Sequence, residues 1–273
     1  MIELKNFCVE KQLLNVIDWI KTYFAENGNE NTKAVIGLSG GKDSTIAATL
    51  LWAALGPERV VAVMMPEGEQ ADIEDSYKVC DFLNLPPENR IEINLHNTLK
   101  ALYNEAVCVD NNIGKWTNPA IITNTPARIR MTILYMVAAA VGGRVCHTGN
   151  RSEMYVGFTT KYGDLAGDFS LFKRFTATEV IALGDYLTKT VGLPAELVHK
   201  APSDGMCGQT DEEKLGFSYE DLDNYILNDV TPPMDMFHKI VERHKVAKHK
   251  DVINLPAPHR ITYINGEKDV WGI

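Results

Sequence analysis

The chain has no long apolar run, no paired cysteines and no excess of basic charge, and each lack removes a class of function. Its longest apolar stretch, MTILYMVAAAVGG from Met131 to Gly143, falls short of the roughly 18 to 20 residues that a bilayer span requires. It reads as a buried helix. The amino terminus MIELKNFCVE carries no basic segment leading into an apolar core and small-residue cleavage site, so no signal peptide is expected. Five cysteines (Cys8, Cys80, Cys108, Cys146, Cys207) are widely spaced, odd in number and form no C-x-x-C. That pattern argues against a disulfide framework or a zinc site and suits a reducing compartment, so a cytoplasmic location is expected. A formal net charge of −9 disfavours a broad nucleic-acid face. Neither nucleic acid nor membrane is an expected partner.

What is present is a chain of 273 residues, 45% hydrophobic, enough for a sizeable core. Residues 9–25 place Leu13, Leu14, Ile17, Ile20, Tyr23 and Phe24 on one helical stripe. Short β-branched runs follow at 33–38, 59–65, 90–95 and 144–147, separated by helical patterns near 45–55, 70–84, 97–107 and 125–141. Buried strands separated by helices imply an α/β fold, a doubly wound parallel sheet with helices on both faces. Beyond residue 150 helices are plausible at 176–191, 219–227 and 234–249, but the pattern is irregular. It suggests lids and site-building loops more than a second core.

Residues 36–45, IGLSGGKDST, stand at a strand-to-helix turn, where an anion belongs. The loop is not G-x-x-x-x-G-K-[ST], because Gly40 and Gly41 are adjacent and Lys42 is followed by Asp43. Nor is it G-x-G-x-x-G. Ser39, Gly40, Gly41, Asp43 and Ser44 instead make S-G-G-x-D-S, in which two glycines let backbone N–H groups close on an anion while two hydroxyls donate to it. Asp43 would repel a phosphate unless a cation lay between them.

The S-G-G-x-D-S loop resembles that of the N-type ATP pyrophosphatases, which have the adenine nucleotide alpha hydrolase-like fold. Further blocks make the chain similar to the ammonia-dependent NAD synthetases within that group: PEGEQADIEDS (66–76), NTPARIRM (124–131), HTGNRSE (147–153), GFTTKYGDLAGD (157–168), KAPSDGMCGQTDEEKLG (200–216) and YEDLDNYI (219–226). They run in family order over most of the chain, which implies one synthetase domain over residues 1–273.

The resemblance implies adenylation of the nicotinic acid carboxylate of deamido-NAD by ATP, release of pyrophosphate, and attack of ammonia to give NAD and AMP. Bringing a carboxylate to a triphosphate calls for a divalent cation, so Mg2+ is expected, with Asp43 and Glu153 as ligands. The implied ATP site is Gly37, Leu38, Ser39, Gly40, Gly41, Lys42, Asp43 and Ser44, with Thr148 and Ser203. Gln70 and Asp72 shape the same pocket. Deamido-NAD is assigned Arg128, Lys161, Asp168, His249 and Lys250, and the catalytic set is Asp43, Glu153 and Lys161. Each has a plainer role beside it: a helix cap for Asp43, a solvated face for Glu153, a surface ion pair for Arg128, a basic helix end for His249 and Lys250. A homodimer is implied by the family and by helix 131–141, which is apolar nearly all round and suggests burial on two sides.

Two positions depart from the family pattern. Where relatives carry a phosphate-reaching Lys before the helix near 178, this chain has Ala177, and Lys173, Arg174 or Lys42 are the candidate replacements. Met64 stands where many relatives put an Arg near the adenine. About 33 residues precede the first strand, far fewer than a separate domain needs, so no glutaminase domain is expected and ammonia is taken as the nitrogen source. Two alternatives remain at this point. One is another enzyme of the superfamily, such as a tRNA thiolase or a GMP synthetase-like amidotransferase. The other is a catalytically silent nucleotide-binding module, supported by Ala177.

Overall fold

Successive residues of the first strand, Ala34, Val35 and Ile36, are fully buried, and they join two different apolar clusters in alternation. That period of two sandwiches the sheet between layers of helices. The computed structural model describes residues 2–70, 73–108, 119–200, 210–250, 254–264 and 267–270.

In chain order the first elements are α1 (Val9–Glu26), β1 (Lys33–Gly37), α2 (Lys42–Leu55), β2 (Val60–Met64), α3 (Ile73–Phe82), β3 (Arg90–Glu92), α4 (His96–Cys108) and α5 (Pro119–Val141). Then come β4 (Gly143–His147), α6 (Arg151–Tyr155), β5 (Phe169–Ser170), α7 (Ala177–Val191) and α8 (Ala195–Val198). The last are α9 (Asp211–Leu215), α10 (Tyr219–Asn228), α11 (Met234–Ala247), β6 (Ile261–Ile264) and β7 (Glu267–Val270). Strands β1 to β5 form one parallel sheet in the order β3-β2-β1-β4-β5. β6 and β7 make a separate antiparallel pair.

Ala34, Ile36, Val60, Ala62, Met64 and Cys146 pack against α1, α2, α3, α7 and α8. Val35, Val61, Val63 and Val145 pack against α4 and α5. Helix α2 is enclosed along most of its length, with Ile46, Leu50 and Leu51 fully buried, each such side chain contributing about 1.5–3 kcal/mol. The sheet order sets the site. The chain winds outward from β1 through β2 to β3, then returns to place β4 on the other side of β1, so the crevice beyond the carboxyl ends of β1 and β4 is the switch point where ligands bind.

Two sequence expectations need correction. Residues after 150 are not mainly loops: Phe169, Phe172, Phe175, Leu183 and Leu187 belong to the main core, and Val156, Leu215, Phe217, Leu222 and Ile240 form a cluster of their own. Helix α5 starts at Pro119 instead of residue 125 and carries Pro126 inside it. Proline suits a first helical turn, which is why 125 reads as the start, but here the backbone runs on through it. Within one chain, one side of residues 131–141 meets the core. Ile133, Val137 and Ala138 face the core, whereas Met136 is 57% exposed.

Candidate active site

The site begins where β1 ends. Leu38 extends the ladder by donating its N–H to Val63 O at 3.0 Å, and the chain then turns into α2. Gly40 has φ +72°, and a Cβ there would lie 2.8 Å from Asp75 Cβ and 3.0 Å from Ser76 N. Only glycine fits that turn against α3. The cap residue of α2 is Gly41, with no side-chain cap, so the first-turn N–H groups are left for an anion. The two hydroxyls hold the loop's shape. Ser39 Oγ lies 3.2 Å from Ser44 Oγ and accepts from Gly41 N–H at 3.2 Å, while Ser44 Oγ donates to Gly41 O at 3.0 Å.

The end of β4 supplies the opposite wall. Thr148 follows the strand and is half-buried. Asn150 caps α6 through a reciprocal box with Glu153: its Oδ1 accepts from Glu153 N–H at 3.1 Å, and its own N–H donates to Glu153 Oε2 at 2.9 Å. The Asn150 side-chain amide also donates to Asp43 Oδ1 at 3.3 Å. One asparagine thus holds both expected metal ligands. Burial and the neighbouring Asp43 raise the Glu153 carboxyl above its ordinary value, as expected of two carboxylates crowded together.

Lys42 lies in the same space, 6% exposed, with Nζ 2.7 Å from Asp43 Oδ2 and 5.6 Å from the Tyr219 ring centroid. Burial alone would lower its pKa, but Asp43 and Glu153 outweigh burial and raise it. Asp211, buried at the start of α9, adds a third carboxylate whose field reaches both Lys42 and Glu153. The Tyr219 hydroxyl is held protonated by burial and by the same acids.

The structure discriminates between the candidate replacements for the missing lysine. Ala177 is buried, and its N–H donates to Ser152 Oγ at 2.9 Å. Lys173 is drawn away to Asn254 Oδ1 at 2.7 Å and Leu255 O at 3.0 Å, and Arg174 pairs with His259. Lys42 is the candidate that stands among the carboxylates.

A second group of residues gathers at the far end of α6. Lys161 Nζ donates to His249 O at 2.9 Å, Arg128 Nε donates to Lys161 O at 3.3 Å, and Lys250 Nζ donates to Gly157 O at 2.7 Å and also to Thr159 O. The His249 ring turns back on Val246 O at 2.7 Å. Four of the five residues assigned to the dinucleotide therefore meet, and α6 joins them to Glu153. Asp168 does not join them. Its Oδ2 accepts from Val145 N–H at 2.7 Å, so it ties β5 to β4. Gln70 is half-buried, and its carbonyl accepts from Ile73 N–H at 3.3 Å at the start of α3. Asp72 and Ser203 lie outside the described residues.

Asn150, Asp211 and Tyr219 lie within the family-like blocks 147–153, 200–216 and 219–226, yet none of the three is among the residues expected in the site. Asn150 was legible as a cap from N-R-S-E, an acceptor three residues ahead of a glutamate. Its reach to Asp43 required the sheet order.

An anion cradle and a carboxylate pair at the switch point of a doubly wound sheet define a nucleotide-binding α/β protein. The comparisons narrow that class. A family model described as NAD synthase matches residues 12–257, and the chain belongs to that family. The NH(3)-dependent NAD(+) synthetase of Carboxydothermus hydrogenoformans is 35% identical over 220 residues, 80% of this chain and 85% of the relative. Among solved structures, NMN synthetase from Francisella tularensis superposes with a TM-score of 0.80 at 27% identity, covering 91% of this chain and 98% of that one. The NH3-dependent NAD synthetase of Campylobacter jejuni superposes at 0.69 with the same identity and coverage.

Proposed function

We propose that this protein is an ammonia-dependent NAD synthetase that activates the carboxylate of deamido-NAD with ATP and amidates it, releasing AMP and pyrophosphate. The observation that carries the reading is the meeting, across the β1/β4 crevice, of the α2 amino terminus, which has no side-chain cap and carries Asp43, with the α6 amino terminus, which carries Glu153, Asn150 bridging the two carboxylates. The chain's own groups divide the work. Backbone N–H groups at 39–44 and the Ser39 and Ser44 hydroxyls hold the β and γ phosphates and stabilise them as a leaving group. Arg128, Lys161 and Lys250 gather cationic charge for the anionic dinucleotide at the other end of α6. Asp168, whose carboxylate accepts from Val145 N–H, stands apart from that arm.

The Asp43–Glu153 pair fits a divalent cation. Two half-buried carboxylates that repel each other gain from a shared positive charge, and magnesium ordinarily takes one or two carboxylates with phosphate and water oxygens. When bound, Mg2+ would neutralise the charge developing on the phosphates. No three His, Cys, Asp or Glu side chains among the described residues could hold a metal by themselves. Incubation with ATP, Mg2+, deamido-NAD and ammonium should yield NAD and AMP in equal amounts; their absence would reject the reading.

One observation favours a second reading. The superposition on the NMN synthetase is the better of the two solved structures compared, and on that reading the acceptor is the mononucleotide, amidated by the same chemistry. The 35% identity to an NAD synthetase favours the dinucleotide. The ratio of kcat/KM for the two acceptors decides between them.

We further propose a homodimer of single synthetase domains in the cytoplasm, fed by ammonia made elsewhere. Exposed Ile122 and Met136 on α5 support a partner surface there, and Cys8, Cys80 and Cys146 are free thiols. No helix among the described residues is long and apolar enough to cross a membrane. Sedimentation as a monomer at micromolar concentration would remove the dimer.

A further inference from the structure

We propose that Lys42 is a resident counter-ion that exchanges with the divalent metal. In the nucleotide-free protein its ammonium neutralises Asp43, and when metal and nucleotide enter together it leaves Asp43 to the metal and passes to the phosphate oxygens. The proposal deepens the synthetase reading of this site and rests on it.

Both oxygens of Asp43 are already engaged. Oδ2 is held by Lys42 Nζ at 2.7 Å and Oδ1 by the Asn150 amide at 3.3 Å. Each oxygen keeps a lone pair for a metal, but a divalent cation on Asp43 would stand beside the Lys42 ammonium, and the two like charges repel. Asn150 is fixed through its backbone and side chain by the capping box with Glu153. Lys42 is anchored at its charged end by Asp43 and the face of the Tyr219 ring, and its four-carbon stem can be repositioned. The lysine is the partner that moves.

Its departure has a condition. A buried ammonium cannot be expelled without a new anionic partner, because an unpaired buried charge costs several kcal/mol. Metal alone offers Lys42 nothing. A triphosphate seated at the α2 amino terminus offers it oxygens one residue from its own Cα, in the loop that Lys42 itself closes. The exchange thereby couples the two ligands: metal binds weakly until nucleotide gives the lysine somewhere to go. It also gives the loop's lysine a role that Lys173 and Arg174, held by residues 254–259, cannot fill.

The test uses Mn2+ as the probe, with free ion counted by electron paramagnetic resonance, on nucleotide-free full-length protein. Lys42→Met should bind Mn2+ at least about 10-fold more tightly than wild type, the worth of one hydrogen bond to a charged group. It should also lose most of the gain that wild type shows on adding α,β-methylene ATP. Equal or weaker Mn2+ binding by a Lys42→Met variant with native circular dichroism would overturn the exchange. A crystal structure of wild type with Mg2+ and α,β-methylene ATP tests it without a variant. Lys42 Nζ on a phosphate oxygen, with Asp43 on the metal, supports it; an intact Lys42–Asp43 pair beside bound metal overturns it. Wild type that makes NAD without the exchange would refute this proposal alone, whereas exchange without NAD formation would refute the synthetase reading and leave the lysine's behaviour standing.

Discussion

The Asn150 side-chain amide lies 3.3 Å from Asp43 Oδ1, although 107 positions separate the two residues in sequence. This contact spans the switch-point crevice and sets how far apart the two sides of the site stand. Asn150→Ser keeps an acceptor for the α6 cap and removes the bridge. Because partners that orient metal ligands typically contribute about 10-fold to 100-fold in affinity or activity, the variant is expected to need correspondingly more Mg2+ for half-maximal turnover. Unchanged Mg2+ dependence would show that Asp43 is placed by its own helix alone.

Asp43→Asn and Glu153→Gln preserve shape and remove charge. Each is expected to lower turnover by at least about 100-fold, or about 2.7 kcal/mol of lost stabilisation, with circular dichroism unchanged. Turnover near wild type in both would return Asp43 to its ion pair with Lys42 and Glu153 to the capping box it makes with Asn150.

Gly40 and Gly192 both have positive φ, +72° and +79°, but only Gly40 is crowded. Alanine at either position should cost about 1–2 kcal/mol for the left-handed backbone. Gly40→Ala should cost more, since its Cβ would meet Asp75 Cβ at 2.8 Å, and the loop's shift away from α3 should abolish ATP binding. Urea melts and nucleotide titration of the two variants check this; equal stability and equal affinity would contradict it.

His147 gives the fold a pH dependence on the acid side. Burial, and then the charge of Lys173, hold it down to about 4 from its ordinary 6.5. Above about pH 6.5 the imidazole is neutral in both folded and unfolded chains and adds no slope. As pH falls from 6.5 to about 4 the unfolded chain takes up a proton that the folded one refuses, so stability declines, by about 3 kcal/mol when complete. His147→Asn should lose that part of the decline, seen as a flatter plot of unfolding free energy between pH 6.5 and 4. A slope identical to wild type would mean that the ring is protonated in the fold.

Much of this was legible beforehand, for identifiable reasons. β1 and β2 read as strands because their buried residues are largely β-branched and flanked by turn signals, and the S-G-G-x-D-S loop marked the strand-to-helix turn at the end of β1. β5 was not legible, since two residues, Phe169 and Ser170, carry no period. The convergence of Lys161 with His249 and Lys250 joins segments 88 or more positions apart. The resemblance pointed to Lys161, His249 and Lys250 separately, and tertiary packing supplies their meeting. Asp168 shows the reverse: a residue assigned by its motif whose carboxylate accepts a strand N–H.

The order of chemistry follows from the loop. On the proposed reading the α2 terminus, without a side-chain cap, and the Ser39 and Ser44 hydroxyls hold the β and γ phosphates as a unit, whereas a kinase must leave the γ phosphate free to move to an acceptor. The α phosphorus is therefore the site of attack. A carboxylate oxygen of deamido-NAD forms the new P–O bond as the α–β bridge breaks and pyrophosphate leaves. Ammonia then adds to the carbonyl carbon, and AMP departs with the bridging oxygen. With ATP, Mg2+ and deamido-NAD but no ammonia, an adenylated dinucleotide and pyrophosphate are expected. When both carboxylate oxygens carry oxygen-18, one label should appear in AMP after ammonium is added and the other should remain in the amide. Recovery of ADP with inorganic phosphate, or of AMP without label, would rule out the adenylate and the leaving-group role of the Ser39–Ser44 loop with it.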